Sequence, residues 1–324
     1  MRASMLLSSL IGCAIVGWTN ESYSDEPANG LTVILKGEGD TEIAPHTGGN
    51  VYAPDVIWDG KSFWMWYGGQ GKDGHDRIAC AVSEDGRKWV RKGVVIQNGN
   101  ANQVNDPSVV IMKGKFLMYY TRTEKDVVDR IDVAISDDGI KWEPKGLAVA
   151  AGPDGSWDSL SVGRPTVIFD GGQFQMWYDG RKDFPPNAPV KNVPKSPSSH
   201  RSVGYATSKD GFKWTKHENN PVFGNDAGAV DVKRLGDHFI MLYESGEGTR
   251  FAISNDGLEW KDGGIFMNKS GQSIDSFGHV TPFLFIDPEN KRHRLFFGAA
   301  SARTWDHNCV AVVEIDREYL SLLK

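Results

Sequence analysis

Four copies of Ser-x-Asp-Gly-x-x-Trp run through the chain: Ser83 to Trp89, Ser136 to Trp142, Ser208 to Trp214 and Ser254 to Trp260, with starts 53, 72 and 46 residues apart. A phrase repeated on that scale marks one supersecondary unit copied around an axis, and the spacing suits a four-stranded propeller blade with insertions. The same elements precede each copy. An apolar run comes first (Pro54 to Trp58, Pro107 to Met112, Pro165 to Phe169, Asp231 to Leu235, and in a fifth unit Pro282 to Ile286). A tight turn follows, then an aromatic run such as Phe63-Trp64-Met65-Trp66-Tyr67 or Phe174-Gln175-Met176-Trp177-Tyr178, then a short run such as Ala81-Val82-Ser83. Strand-like runs separated by turn residues are an all-β signal. The expected fold is therefore an all-β, five-bladed β-propeller with four-stranded antiparallel blades. The fifth unit lacks the phrase, and Leu31 to Leu35 is the expected source of its outer strand, closing the ring and covering a sheet edge.

The phrase itself reads as scaffold. Asp in a turn bonds nearby amides, Gly takes positive φ, and Trp packs between sheets. All four copies agree, whereas a catalytic role requires one copy to differ.

The net charge of −6 argues against the nucleic-acid role that a basic face would serve. Residues 1–24 are read as an export signal: Arg2 precedes an apolar stretch from Met5 to Val16 that is too short for a stable membrane span. A secreted or periplasmic protein is expected, with lipid attachment at Cys13 a minority alternative. Residues 25–44 form an N-terminal segment and 45–324 the propeller. Cys80 and Cys309 lie in strand-like runs with side chains offset to opposite faces, which reads as two buried free thiols.

The blade register selects the face for chemistry. Inner strands converge at their first residues, as a small-molecule pocket requires. The residue before Pro is Ala53, Asp106, Arg164 or Thr281, and the fourth unit has no Pro, only Ala229 to Asp231 in that region. A structural repeat keeps equivalent positions alike, but these differ. Asp55, Asp106, Arg164, Asp231 and His279 are thus a candidate ring at the channel mouth. Loops on that face add Arg122, Asp179, Arg181 and Glu244 as candidate substrate-binding groups, and Lys182 to His200, with five Pro, is either a lid or a disordered excursion. Carboxyl groups facing across a sugar can cleave a glycosidic bond, one protonating the leaving oxygen while the other activates water or attacks. Asp106 is the expected acid, and Asp55 or Asp231 the base or pKa modulator. No cofactor is required by that chemistry, although an ion in the central channel is compatible with it.

Residues 45–316 resemble the five-bladed propeller superfamily that includes glycoside hydrolase families 43, 32 and 130. Phe277-Gly278-His279-Val280 is similar to the Gly-His stretch of family 43, and Asn105-Asp106-Pro107-Ser108 to the Glu-Asp-Pro-Arg segment of family 130, whose Asp is the proton donor. The resemblance implies a hydrolase acting on an oligosaccharide or polysaccharide. Departures are specific: Ala53 and Arg164 stand where family 43 has Asp, and Ser108 where family 130 has Arg. A glycoside phosphorylase and a non-catalytic carbohydrate-binding propeller are the alternatives.

Overall fold

A computed structural model describes residues 30–37, 50–124, 128–188, 191–289, 292–304 and 307–323. The export signal, Cys13 and most of the 25–44 segment lie outside the described residues.

The chain is all-β. After β1 (Thr32–Leu35), the first antiparallel unit comprises β2 (Val51–Trp58), β3 (Phe63–Gln70), β4 (Asp76–Ser83) and β5 (Val90–Ile96). The second comprises β6 (Gln103–Met112), β7 (Lys115–Glu124), β8 (Val128–Ser136) and β9 (Glu143–Val149). The third comprises β10 (Ser161–Asp170), β11 (Gln173–Arg181), β12 (Ser202–Ser208) and the short β13 (Thr215–Lys216). β14 (Asp231–Leu235), β15 (His238–Ser245), β16 (Gly248–Ser254) and β17 (Lys261–Asn268) make the fourth. β18 (Gly278–Phe285), β19 (His293–Ala300) and β20 (Asn308–Ile315) make the fifth, with β1 antiparallel to β20 as its outermost strand. A bridge between Ser245 and His279 joins the last two units into one eight-stranded sheet. A short helix, α1 (Arg317–Leu322), is capped by Asp316 accepting from the Glu318 amide, and it buries Leu320 against the last two units.

The first strands β2, β6, β10, β14 and β18 touch in that order, and β18 touches β2, so the units form a closed ring. Side chains alternate along each second strand, which gives every unit two apolar faces. Met65 and Tyr67 pack toward the fifth unit, while Trp66 packs toward the second. The same alternation recurs, and the core is divided into clusters, one at each seam between neighbours. Cys80 and Cys309 are buried free thiols in two different clusters.

The repeated phrase is part of these seams. In the copy at Ser136, the Gly139 amide donates to Ser136 Oγ, while Asp138 Oδ1 accepts from the Ile140 and Lys141 amides. Gly139, at φ 72°, turns its carbonyl toward two indoles: Trp142 of its own unit (3.0 Å) and Trp66 of the preceding unit (2.9 Å). Tyr119 does the same to Gly211 (2.9 Å) and Trp177 to Gly257 (2.7 Å). Each phrase after the first therefore accepts a donor from the second strand of the unit before it. The first copy meets Phe296, which has no donor to offer and packs edge-on against Trp89 at 6.3 Å.

Candidate active site

The inner strands share a backbone feature that the sequence shows only in part. Ala53, Asp106, Arg164, Ala229 and Thr281 all adopt positive φ, between 45° and 52°. Four of them precede Pro; Ala229 precedes Val230, and its conformation fixes the fourth unit's register. Pairing with the second strand skips at this kink, between Tyr52 and Asp55, Asn105 and Ser108, Gly163 and Thr166, and Val280 and Phe283. Left-handed backbone at non-glycine residues is strained, most of all for β-branched Thr281, and persists only where the surroundings impose it.

Two rings of contacts impose it here. Above the kink, the Arg164 amide donates to Thr121 Oγ1 (2.7 Å), the Ala229 amide to Asp179 Oδ2 (2.8 Å) and the Thr281 amide to Glu244 Oε2 (3.3 Å). Thr121, Asp179 and Glu244 hold equivalent places on the second strands, where the first and fifth units have Gly68 and Gly298. A Cβ at Gly298 would come within 2.4 Å of Val280 and 3.1 Å of Tyr52, so the missing side chain leaves the room in which Tyr52 lies. Below the kink, Ser108 Oγ accepts from the Val167 amide (3.0 Å), Thr166 Oγ1 from Val232 (3.2 Å) and Asp231 Oδ2 from Leu284 (2.8 Å), and Asp55 accepts from Val109. These polar residues stitch each inner strand to the next.

The kinks divide the central channel. A throat of about 30 Å³ is lined in every unit by the kinked residue and the two that follow it. Above it opens a pocket of about 310 Å³ whose lining includes Tyr52, Asp76, Asn105, Asp106, Arg164 and Glu244. Below it lies a more apolar space that Asp55, Lys233, Trp58, Phe283 and Phe285 help to line. Asp106 belongs to the throat and the upper pocket, and Asp55 to the throat and the lower space.

The upper pocket is densely charged. Burial pushes the Asp106 carboxyl up to about 7; Arg164 and the Thr121 hydroxyl oppose the shift, and the charges of Asp179 and Glu244 add to it. Arg164 makes a two-pronged ion pair with fully buried Asp179 (2.6 and 2.9 Å), which holds Asp179 below the usual carboxylate range despite its burial. Arg201 pairs with Glu244 and stands 3.9 Å from Asp179. On the opposite wall, Tyr52 donates to Asp76 Oδ2 (2.7 Å), and Asn105 Nδ2 donates to Tyr52 Oη (2.8 Å) and Asp76 (3.3 Å). Burial raises both the Asp76 carboxyl and the Tyr52 phenol. Asp76 Oδ1 and Asn105 Oδ1 are buried with no donor. Buried acceptors without donors are costly, so the pocket wall is suited to a ligand that brings hydroxyl groups.

In the upper pocket the structure brings Asp106, Arg164 and Glu244 together, with Asp179 behind Arg164, whereas Asp55 and Asp231 share with Asp106 and Arg164 only the throat. Asp231 is bound to Lys233 (2.7 Å) and the Leu284 amide, and Asp55, also pushed up to about 7 chiefly by burial, interacts with Lys233 and Asp231 rather than with Asp106. His279 is not at the channel mouth: it is fully buried, stacked on Phe297 at 3.8 Å, with Thr249 (2.9 Å) and Asp275 (3.3 Å) at its two nitrogens. Its ring spends both nitrogens on the fold, since β18 pairs with β15 at that residue. Arg122 binds Glu124 (3.2 Å) on its own unit. Arg181 stands two residues beyond Asp179 at the rim. Sequence reasoning missed as site residues Tyr52, Asp76 and Asn105, which meet beside the room left at Gly68 and Gly298.

No protein-family model matches the chain. Two uncharacterized proteins of Mycobacterium tuberculosis are each 34% identical to it: Rv1502 over 204 residues (58% of this chain) and MT1551 over 138 residues (39% of this chain). The chain spans 64% and 45% of the length of these relatives. Among solved structures, a glycoside hydrolase aligns with TM-score 0.67 at 20% identity, covering 86% of this chain and 92% of that one. Zg3597, a family 117 glycoside hydrolase of Zobellia galactanivorans, aligns with TM-score 0.66 at 18% identity, covering 89% and 90%. A family 130 glycoside hydrolase, described as targeting β-1,2 mannosidic linkages in Candida mannan, aligns with TM-score 0.62 at 15% identity, covering 89% and 92%. The chain therefore shares its fold with glycoside hydrolases of several families.

Proposed function

We propose that the ring of units is a five-bladed β-propeller and that the protein is an exported glycoside hydrolase, with its active site in the upper pocket. The observation that carries this reading is Asp106, a carboxyl buried at the throat and titrating at about 7, facing a pocket rich in hydrogen-bonding groups. A carboxylic acid still protonated near neutral pH can donate to the leaving glycosidic oxygen. Glu244 is the carboxylate of the same pocket available to activate water or to attack, oriented by Arg201 and the Thr281 amide. This assignment replaces Asp55 and Asp231, whose carboxylates serve the inner-strand stitching. Tyr52, Asp76 and Asn105 would accept substrate hydroxyls. The chemistry needs no cofactor.

Replacing Asp106 with Asn is expected to lower turnover by about 10²–10⁴-fold while leaving saccharide binding intact, measured on a panel of glycans and aryl glycosides with product analysis. An active Asp106→Asn enzyme would sink the acid assignment. The wild-type rate should fall as pH rises through about 7, because Asp106 then loses the proton it must give. Binding without turnover on any substrate would instead select a carbohydrate-binding propeller. The neighbouring charges of Arg164, Arg181 and Arg201 favour a second reading, a phosphorylase; dependence of turnover on inorganic phosphate with release of a sugar phosphate would select it.

A further inference from the structure

The rim of the third unit carries a concentration of positive charge that the reaction proposed above does not use. Arg164 and Arg201 are neutralised by Asp179 and Glu244; the Arg181 guanidinium is close enough to feel both of theirs, as well as the carboxylates of Asp179 and Asp226, yet it makes no hydrogen bond or ion pair of its own among the described residues. Its guanidinium lies 4.6 Å from the centre of the Phe184 ring, which holds it in place and leaves its donors unspent. Arg181 lies two residues from Asp179 on β11 and therefore on the same face, above the Arg164–Asp179 pair.

The connection that follows continues the pattern. Residues 181–201 contain five Lys or Arg (Arg181, Lys182, Lys191, Lys195 and Arg201) and a single acidic residue, Asp183, in a chain whose net charge is −6. The described part of this strap folds upon itself through local hydrogen bonds. The Phe184 amide donates to Pro194 O (2.9 Å), the Ser196 amide to Phe184 O (2.8 Å) and Ser199 Oγ to Asp183 O (2.8 Å). Lys182 and Lys191 are exposed and, like Arg181, are without a carboxylate partner among the described residues. A local excess of charge of one sign on a ligand-facing rim concentrates ligands of the other sign.

We propose that this rim is an anion subsite, so that the saccharide taken by the upper pocket carries an acidic sugar residue, with its carboxylate or sulfate ester held by Arg181 and attracted by the basic strap. The planar fork of an arginine suits a carboxylate or a sulfate, which it can hold by charge-assisted bonds. The inference rests on the hydrolase reading for the position of the saccharide, but its test does not depend on turnover.

The experiment is calorimetric titration of the full chain with oligogalacturonate, a sulfated galactan oligosaccharide, and the carboxyl-reduced or desulfated neutral counterpart of each. At least one acidic ligand should bind about tenfold or more tightly than its neutral counterpart, and which one does so identifies the anion. That ratio should fall to near one in Arg181→Gln, be partly kept in Arg181→Lys, and shrink with added salt. Equal affinity for acidic and neutral ligands overturns the proposal, as does a ratio that survives Arg181→Gln. Saturation of the site by inorganic phosphate together with phosphate-dependent turnover also overturns it, assigning the arginines to a co-substrate. Cleavage of none of the saccharides, with the affinity ratio intact, defeats the hydrolase reading and leaves the anion subsite standing.

Discussion

At the scale of single residues, the carboxyls beside the throat make folding depend on pH. Asp55 and Asp106 titrate at about 7 in the folded chain, chiefly because burial penalises their charged forms. In an unfolded chain an aspartate titrates near 3.9. Between those values the folded state binds more protons, so the free energy of unfolding falls as pH rises from about 4 to about 7. Asp55 is the cleaner probe, since it sits away from the proposed chemistry. Asp55→Asn should raise the melting temperature at about pH 8, by stability on the order of 2 kcal/mol, and flatten the decline measured by calorimetry from about pH 5 upward. A variant with the wild-type pH profile would mean that Asp55 is ionised without cost in the fold. The sequence marked both Asp55 and Asp106 as polar residues beside Pro, Asp106 as the acid and Asp55 as a base or pKa modulator. It did not reveal that one faces the upper pocket and the other the lower space, because an offset of two residues across a kinked backbone decides which way each side chain points.

At the scale of elements, the phrase that dominates the sequence is a docking device between units. Each of the last three copies offers a turn carbonyl to an aromatic donor on the preceding unit, a long-range contact encoded by two short local motifs. Trp177→Phe keeps most of the ring and removes the bond to Gly257. The carbonyl retains Trp260 as a partner (3.0 Å), so the expected cost is about 1–2 kcal/mol, read as a lowered urea midpoint with an unchanged slope. A larger loss would point to packing rather than the hydrogen bond. The register of the units was legible from these phrases and from the Pro that follows the kink in four of the five inner strands. The fourth inner strand was placed at Asp231–Leu235, as observed, but its alignment on the others was not fixed, since Val230 stands in place of Pro and the positive φ of Ala229 supplies the equivalence. Tyr52 and Asp76 were hidden for a different reason: they meet Asn105 through space vacated at Gly68 and Gly298, and an absent side chain leaves no pattern to read.

At the scale of the whole molecule, the ring joins the two ends of the described chain. β1 lies along β20, and Leu35 is buried in the cluster shared by the first and fifth units. Deleting residues 30–37 would expose the β20 edge and remove that side chain from the seam, a loss of at least about 2 kcal/mol. The truncated protein should melt earlier and associate on size-exclusion chromatography through the uncovered edge. Unchanged melting and a monomeric profile would show that the ring holds without the strand.

The five kinked residues have a consequence for how such a molecule can change. They are sockets of one shape filled with different fittings: alanine twice, an acid, a base and a hydroxyl. At four of the sockets the kinked residue's amide is held by a side chain of a neighbouring unit, and Thr281, itself a socket, holds Ala53 in this way. Apart from Thr281, whose hydroxyl holds Ala53, the groups presented around the mouth of the channel can therefore be exchanged while the framework stays the same. Ala53 and Ala229 are the two sockets that carry no fitting, and they are where a descendant of this chain has the most freedom to acquire a new chemistry.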